Sequence, residues 1–234
     1  MGLAKDFNEL LQKEIRIQAA WLPITNTFQV GDFGVISDGV FNRMGNITSD
    51  FNVAFTVKPG AANNLNFTSQ KVRVTRFQAG AEVSSFGAED IDAKLRIEFG
   101  KDRSFFLRAA LTSSEMEGIF KAAGDLANKP RFNPGKFKVV SAVYTATNCT
   151  ILSSRESNAS VEIEAKAGAL KKLDLGSADA GLSFSSKSGM GLEILGESGT
   201  VGLVLFKVDK DGPRFEALNY PTSKDWALPI QDDL

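Results

Sequence analysis

The chemistry that this sequence can support is limited first by the absence of histidine. Its 234 residues include no histidine and a single cysteine, Cys149. Histidine is the commonest general base, the group that orients catalytic triads and the commonest neutral metal ligand, so its absence weakens most enzyme hypotheses. We therefore expect a protein that is not an enzyme and that uses no metal or other cofactor.

Two remaining groups of residues could still carry chemistry. Cys149 has no histidine to activate it and follows a β-branched, apolar stretch, so we interpret it as a small buried hydrophobe and not as a nucleophile. Glu89, Asp90 and Asp92 could supply paired carboxylates for glycoside hydrolysis, a reaction that needs no histidine. A cluster of charges at a turn that enters a strand is more commonly a solvated surface, and we favour that interpretation.

The charge balance argues against nucleic acid as a partner. The chain has 27 basic and 28 acidic residues, so no basic surface accompanies its 18 phenylalanines and two tryptophans. One cysteine excludes an intramolecular disulfide and fits a reducing compartment. The start of the chain lacks a secretory apolar segment, and no apolar run reaches the ~18 residues of a spanning helix. We expect a soluble cytoplasmic protein.

Strict alternation of apolar and polar residues predicts a β-rich fold. The clearest cases are residues 91–99 and 160–167, in which every second residue is apolar. A period of two places the apolar residues on one face of a strand. Residues 71–77 share this pattern and are expected to pair with 91–99, and residues 180–187 are expected to form a long hairpin with 160–167.

Other parts of the chain complete the predicted sheet. The further segments that predict strands are residues 28–41, 51–57, 65–77, 139–146, 150–152 and 200–208. The first is a hairpin turning at Asp38-Gly39, with Gly31 and Gly34 marking bulges or close backbone approach. The strand at 65–77 changes its apolar phase, which predicts a bulge. The last is apolar at nearly every residue, as in a strand buried on both faces, and a turn at 209–212 follows it.

Two helices are predicted. Residues 4–20 form an amphipathic helix, which either packs on the sheet or touches anionic lipid through Lys5, Lys13 and Arg16, and acidic residues on the same helix favour packing. Thr112 and Glu115 have the spacing of a capping box that begins a second helix, with a buried stripe at Met116, Ile119, Phe120 and Ala123 and an end by residues 128–130.

These elements predict an α+β fold. Its main parts are a large, twisted, mostly antiparallel sheet, an amphipathic N-terminal helix and at least one further helix. We assign residues 1–212 to a single domain and residues 213–234 to a C-terminal tail. The length of the chain also leaves two domains possible.

The order of these elements resembles the pore-forming domain of gasdermins, and especially the short bacterial members. The resemblance spans most of residues 3–216 and lies in the first helix, the two strand pairs with a helix between them, and the run 199–208 followed by Asp211-Gly212. It implies a protein that is cytoplasmic until it is activated by a protease. The active protein would assemble with copies of itself on lipid of the inner or plasma membrane and extend two hairpins into a β-barrel pore, in a cell-death or antiviral defence response.

The segments that match those hairpins are residues 71–99 and 160–187. The residues that would face lipid are Val72, Val74, Ile91, Ala93, Leu95, Ile97, Phe99, Val161, Ile163, Ala165, Leu182 and Phe184. A transmembrane strand needs ~9–11 residues, apolar toward lipid and polar toward water, and residues 91–99 meet that requirement. Any antiparallel sheet with one wet face gives the same alternation. A non-enzymatic intracellular β-rich binding or inhibitor module is therefore the alternative.

The tail has an unusual composition for a free chain end. Tyr220, Trp226, Leu228 and Ile230 are too apolar for a free acidic tail, while two prolines disfavour a helix or a central strand. We expect an extended segment docked on the domain. The resemblance implies an autoinhibitory peptide released by cleavage within residues 209–219, and a structural strap that merely completes the core is an equal alternative.

Overall fold

The computed structural model describes residues 2–174, 182–209 and 212–215, and it shows an α+β fold with antiparallel sheets, as predicted. The predicted large sheet is divided into a nine-stranded and a five-stranded sheet. The elements in chain order are α1 (Leu3–Ile15), β1 (Gln18–Ala19), β2 (Asp32–Ser37), β3 (Val40–Asn46), α2 (Ile47–Phe51), β4 (Thr56–Pro59), β5 (Asn63–Thr68), β6 (Val72–Gln78), β7 (Ala81–Val83), β8 (Asp92–Phe99), β9 (Phe105–Glu117), α3 (Ile119–Ala127), β10 (Lys138–Ser154), β11 (Ala159–Lys166), α4 (Ala167–Asp174), β12 (Ser183–Ser186), β13 (Met190–Asp209) and β14 (Gly212–Phe215).

The chain divides into two compact units. Of the described residues, unit 1 comprises 2–63, 112–145, 199–209 and 212–215, and unit 2 comprises 64–111, 146–174 and 182–198. The nine-stranded sheet has the order β1-β13-β10-β2-β3, with β14 beside β13 and with β9 joined to β4, β5 and β10. The five-stranded sheet has the order β12-β11-β8-β6-β7. The predicted domain boundary between residues 212 and 213 stays a prediction. Strand β14 contains both of these residues and pairs with β13.

The core of unit 1 is built on phenylalanine. Phe33 packs edge-on against Phe51 and Phe137, with ring centroids 5.1 and 5.3 Å apart. The hairpin of β2 and β3 turns at Asp38-Gly39, as predicted, because Ser37 pairs with Val40. The register shifts between Phe33 and Gly34, where a side chain on Gly34 would overlap the backbone of Asn42. The glycine therefore marks the close backbone approach that the sequence indicated.

The predicted N-terminal helix and the predicted buried strand of unit 1 are confirmed, although their bounds differ from the prediction. Helix α1 buries Phe7 and Leu11 and packs against β1 and β3, which supports packing over lipid contact. It ends at Ile15, before the predicted residue 20, because Arg16 adopts a left-handed conformation with φ 58°. Residues 201–206 of β13 are buried throughout, as predicted for a strand covered on both faces. Asp209 pairs with Gly212, while the two residues between them lie outside the described residues.

The predicted capping box is wrong. Thr112 and Glu115 lie in β9, where the Thr112 hydroxyl donates to the carbonyl of Thr145 at 3.5 Å and Glu115 pairs with Lys58 of β4. Helix α3 begins only after Gly118, whose φ is 71°, and it ends near residue 128 as expected. Ala123 is buried as predicted, but Phe120 is 71% exposed.

Two strand predictions also fail. Residues 51–57 contain the end of α2, which is capped by the Asn46 side chain accepting from the backbone N–H of Thr48 at 3.0 Å, and then the start of β4. Residues 65–77 form β5 and β6, which belong to different sheets. The change of apolar phase marks the turn between these strands and not a bulge within one strand.

Candidate membrane-inserting sheet

The candidate site is the five-stranded sheet of unit 2. Strands β8 and β11 pair along their whole length, from Ala159 opposite Phe99 to Lys166 opposite Asp92. Strand β6 pairs with the other edge of β8, and β12 pairs with the other edge of β11. Both pairings were predicted, and the register shows which side chains share a face.

The apolar face of this sheet gathers most of the residues predicted to meet lipid. Those at most 8% exposed in its core are Ala93, Leu95, Ile97, Phe99, Val161 and Ile163. Those that are half-buried against the same core are Val72, Val74, Ala165 and Leu182. Ile91 and Phe184 are 41% and 40% exposed. The sheet therefore holds ten of the twelve predicted residues on one face, while Ile91 and Leu182 directly precede β8 and β12. The role of this face toward lipid stays a prediction.

Helix α4 covers this apolar face together with Phe106 of β9 and Leu152 of β10, and sequence reasoning missed the helix. Ala167, Leu170 and Leu173 are at most 1% exposed and belong to the same core as the sheet. Burying leucines of this kind contributes about 1.5–3 kcal/mol each. The available signal was the spacing of Leu170 and Leu173 with lysines in the last turn of a helix.

The first turn of α4 is also tied to the strand connections. The backbone N–H of Ala167 donates to the carbonyl of Ile91 at 2.8 Å, and that of Gly168 donates to the carbonyl of Glu89 at 3.0 Å. Residues 84–91 lead into β8, so the start of α4 is held against the segment that precedes β8. The segment that connects the strands of the first predicted hairpin therefore contacts the segment that connects the strands of the second.

The opposite face carries a charge ladder, which we define as Asp92, Lys94, Arg96, Glu162, Glu164 and Lys166. Three of its cross-strand pairs are directly opposite in the register of β8 and β11, and Lys94 also contacts Glu162 diagonally. Arg96 Nη2 lies 2.6 Å from Glu162 Oε1, and Lys94 Nζ lies 2.8 Å from Glu164 Oε1. Lys166 Nζ lies 2.6 Å from Asp92 Oδ1. The ladder borders an open cleft of about 640 Å³.

The ion pairs of the ladder shift the pKa values of two of its residues. Hydrogen bonds first from Lys94 and then from Arg96 lower the pKa of Glu162. Hydrogen bonds to Glu164 and then to Glu162 raise the pKa of Lys94. Both residues therefore stay charged over a wider pH range than they do in an unfolded chain. Asp92, considered in the sequence as a candidate glycosidase carboxylate, is instead an exposed partner of Lys166.

The face predicted to meet lipid is not uniformly apolar. Arg76 lies opposite Leu95 and Gln78 lies opposite Ala93, so both belong to the apolar side of β6. They occupy the end of the strand, beside the turn at Ala79-Gly80. Arg76 and Gln78 therefore interrupt the apolar face at this end of β6.

The remaining candidate chemistry finds no support. Cys149 is fully buried, and burial raises the pKa of its thiol to about 12, so it is protonated at neutral pH. Among the described residues, no three acidic, histidine or cysteine side chains are placed to hold a metal ion. No helix in the described ranges combines the length and apolar character that a membrane crossing requires. The tail residues Tyr220, Trp226, Leu228 and Ile230 lie outside the described residues.

Comparison with known proteins finds a structural similarity but no similarity of sequence. No protein-family model and no curated protein matches the sequence. The fold is similar to the cryo-EM structure of the gasdermin A3 membrane pore, with 9% sequence identity over 95% of this chain and 97% of that chain and a TM-score of 0.37. A likeness of this degree does not assign the chain to a family, so the predicted resemblance to the short bacterial gasdermins stays a prediction.

Proposed function

We propose that this chain permeabilises membranes by inserting two hairpins from the five-stranded sheet, β6 with β8 and β11 with β12. The observation that supports this proposal is the complete separation of apolar and charged residues across β8 and β11, in register over eight pairs. Leu95 and Ile163 share one face, while Arg96 and Glu162 share the other. A transmembrane strand requires this arrangement, with lipid on one side and water on the other.

Insertion would require the hairpins to lengthen. A transmembrane strand needs about 9–11 residues, whereas β6, β8, β11 and β12 have 7, 8, 8 and 4 residues. The residues available to lengthen them are the connections, 79–91 and 167–182. Helix α4 lies in the second connection, so it would unwind and leave the apolar face. Lipid would then replace α4, and with it the side chains of Phe106 and Leu152, on that face.

The edges of the sheet point to assembly with further copies. Strand β12 stands at one end of the five-stranded sheet, and β6 becomes the other edge once residues 79–91, which contain β7, lengthen the first hairpin. Hydrocarbon contains no water to satisfy free backbone N–H and C=O groups, so an inserted edge must pair with another strand. Strands of neighbouring copies are the available partners. The proposed active form is therefore a homo-oligomer in the inner or plasma membrane.

Activation would come from release of the tail by a protease. The described chain ends at Phe215 of β14, and α3 packs beside this strand in unit 1. Phe120 of α3 is 71% exposed, and a Cβ added to Gly212 would lie 3.5 Å from its ring. We propose that the apolar residues of the tail cover Phe120 until the chain is cut. A role in cell death or antiviral defence is the setting that the sequence resemblance implies.

A binding module is the second candidate, and a cavity in unit 1 favours it. An open cavity of about 720 Å³ is lined by apolar and polar groups that include Phe28, Phe55, Arg43 and Asn46. Arg43 Nε lies 2.9 Å from the carboxylate of buried Asp32, which fixes the guanidinium at the cavity wall. Such a mixture of aromatic and hydrogen-bonding groups is typical of sites for small ligands.

Dye release from anionic liposomes separates these two functions. The active sample is a variant with a site-specific protease sequence inserted within residues 216–219, which leaves the pairing of β14 with β13 in place. We expect the cut protein to release the dye and the uncut protein to release none. A cut protein that remains monomeric and inert on liposomes would exclude the pore function and favour the binding module.

A reversible disulfide tests whether α4 must unwind. A Cβ on Gly168 would lie 3.0 Å from the Cβ of Glu89, so a small shift of the exposed residue 89 brings two cysteines to the ~3.8 Å that a disulfide prefers. If β8 and β11 lengthened in their present register, residue 168 would face residue 90, and residue 89 would point to the other side of the sheet. The crosslink is therefore incompatible with the inserted form.

The variant combines Glu89→Cys and Gly168→Cys with the cleavable tail. We expect the oxidised, cut protein to be inactive on liposomes and to gain activity when it is reduced. Each single cysteine variant is the matched control and should leak in both conditions, since the native Cys149 is buried. Equal leakage by the oxidised and reduced double variant would show that α4 stays in place.

A further inference from the structure

The face of the five-stranded sheet opposite its apolar core carries nearly balanced charge. Its acidic residues on the paired strands are Asp92, Glu98, Glu162 and Glu164, and its basic residues are Arg73, Lys94, Arg96 and Lys166. Strand β12 contributes only Ser183 and Ser185 to this face. The four strands of the proposed hairpins, β6, β8, β11 and β12, therefore place four acids and four bases on this face, with no net charge. Strand β7 adds Glu82, which lies opposite Phe77.

The charges are also matched locally. The pairs of the charge ladder are separated by 2.6 to 3.1 Å between nitrogen and oxygen, and Arg73 stands opposite Glu98 in the register of β6 and β8. Opposite charges at this spacing act as short dipoles, whose field decays within the ~8 Å over which physiological salt screens a single charge. A pore lined by such a surface would attract neither cations nor anions across its width.

The pairing that holds the ladder should persist in a membrane. Separation of β8 from β11 would free backbone groups along eight paired positions, and hydrocarbon cannot satisfy them. The hairpins would therefore enter side by side in their present register, with the ladder on the side away from lipid.

We propose that the charge ladder lines the aqueous side of the pore and that the pore consequently selects solutes by size and not by the sign of their charge. This inference rests on the proposed function. It assigns a specificity role to Lys94, Glu162, Glu164 and Lys166, because removal of one sign leaves the other sign exposed to the lumen.

The experiment measures reversal potentials in a planar bilayer under a KCl gradient near 10 mM, where salt screens a single charge only beyond ~30 Å, with the cut full-length protein. The parent should give a potassium to chloride permeability ratio within about twofold of one. Glu162→Gln with Glu164→Gln should shift the ratio several-fold toward chloride, and Lys94→Gln with Lys166→Gln should shift it several-fold toward potassium. Lys121→Gln, which breaks an exposed pair with Asp125 in α3, is the control and should leave the ratio unchanged.

The possible outcomes separate this inference from the function on which it rests. A conducting parent with strong charge selectivity, or ladder variants that conduct with the ratio of the parent, would overturn the assignment of the ladder and leave the pore function standing. A cut parent that never conducts would overturn the pore function, and the inference with it. Circular dichroism of the uncut variants establishes that each one has folded.

Discussion

Arg96 and Glu162 face each other across β8 and β11, with Arg96 Nη2 2.6 Å from Glu162 Oε1. Glu162 also accepts a hydrogen bond from Lys94 at 3.1 Å, so one carboxylate holds two cations of the neighbouring strand. A one-residue slip of β11 would move Glu162 to the apolar face and Ile163 to water. The contact between Arg96 and Glu162 thus supports the register on which the proposed hairpins depend.

The first prediction concerns the pH dependence of this contact. The two cations lower the pKa of Glu162 in the folded protein, so its contribution to stability is present above the ordinary glutamate pKa of about 4.3 and is lost as the pH falls through the lower, folded value. Glu162→Gln should therefore destabilise the protein at pH 7 by less than about 1 kcal/mol, because the pair is partly exposed. The difference should vanish in strong acid.

Urea unfolding of the parent and of Glu162→Gln, followed between neutral and acidic pH, measures this effect. Salt near 1 M is the control, since it screens partly exposed charges and should shrink the difference at neutral pH. A difference in unfolding free energy that stays constant from neutral to strongly acidic pH would show that the contact contributes through packing and not through its charge.

The second prediction uses adjacent residues on opposite faces of β12. Phe184 lies opposite Ile163 on the apolar face and is 40% exposed, while Ser185 lies opposite Glu162 on the charged face. Phe184→Lys should keep the soluble fold, since surface substitutions usually change stability by about 0.5 kcal/mol or less. In an inserted hairpin the same lysine would face lipid, at a cost of about 2–4 kcal/mol per copy near the bilayer centre.

Leakage by the cut proteins distinguishes the two faces. We expect Phe184→Lys to abolish dye release and Ser185→Lys to retain it, because the second lysine would point into water. These two positions give a cleaner test than Leu95 or Ile163 would. Both of those residues are fully buried, so a lysine there would unfold the soluble protein. Equal leakage by the two β12 variants would show that this strand does not face lipid as proposed.

The paired strands of the candidate site could be predicted from the sequence because alternation over eight residues has a definite physical meaning. Residues 91–99 and 160–167 can bury an apolar side only as strands of a half-covered sheet. Helix α4 was not predicted because Ala165 and Ala167 continue the alternation of β11 into its first residue. Only Leu170 and Leu173 show helical spacing, and one turn of a helix is a weak signal.

The failure at Thr112 and Glu115 has a different cause. A side-chain cap contributes about 1 kcal/mol, and its signal is local. Pairing with β4 satisfies the backbone of β9 from Ser114 to Glu117 and buries Met116 in the core of unit 1. These are contacts with residues about sixty positions away, so no short stretch of sequence contains them. Tertiary pairing therefore overrides the local capping pattern.

The third prediction tests the proposed contact between the tail and Phe120. An apolar side chain that is covered by the tail stabilises the docked state by up to about 1.5–3 kcal/mol, and Phe120 is an exposed apolar side chain of this size, at 71%. Phe120→Ser should therefore loosen the tail in the uncut protein. Cleavage at a protease sequence within residues 216–219 should become about tenfold faster, which corresponds to about 1.4 kcal/mol.

Met44→Ser is the matched control, because Met44 is also an exposed apolar residue of unit 1, at 58%, and lies in β3 instead of α3. Its cleavage rate should equal that of the parent. Urea unfolding of both variants must first show unchanged stability, so that a faster cut reports the tail and not the domain. If Phe120→Ser and Met44→Ser are cut at the same rate, the tail does not dock on α3, and any inhibition by residues 213–234 must act through another surface.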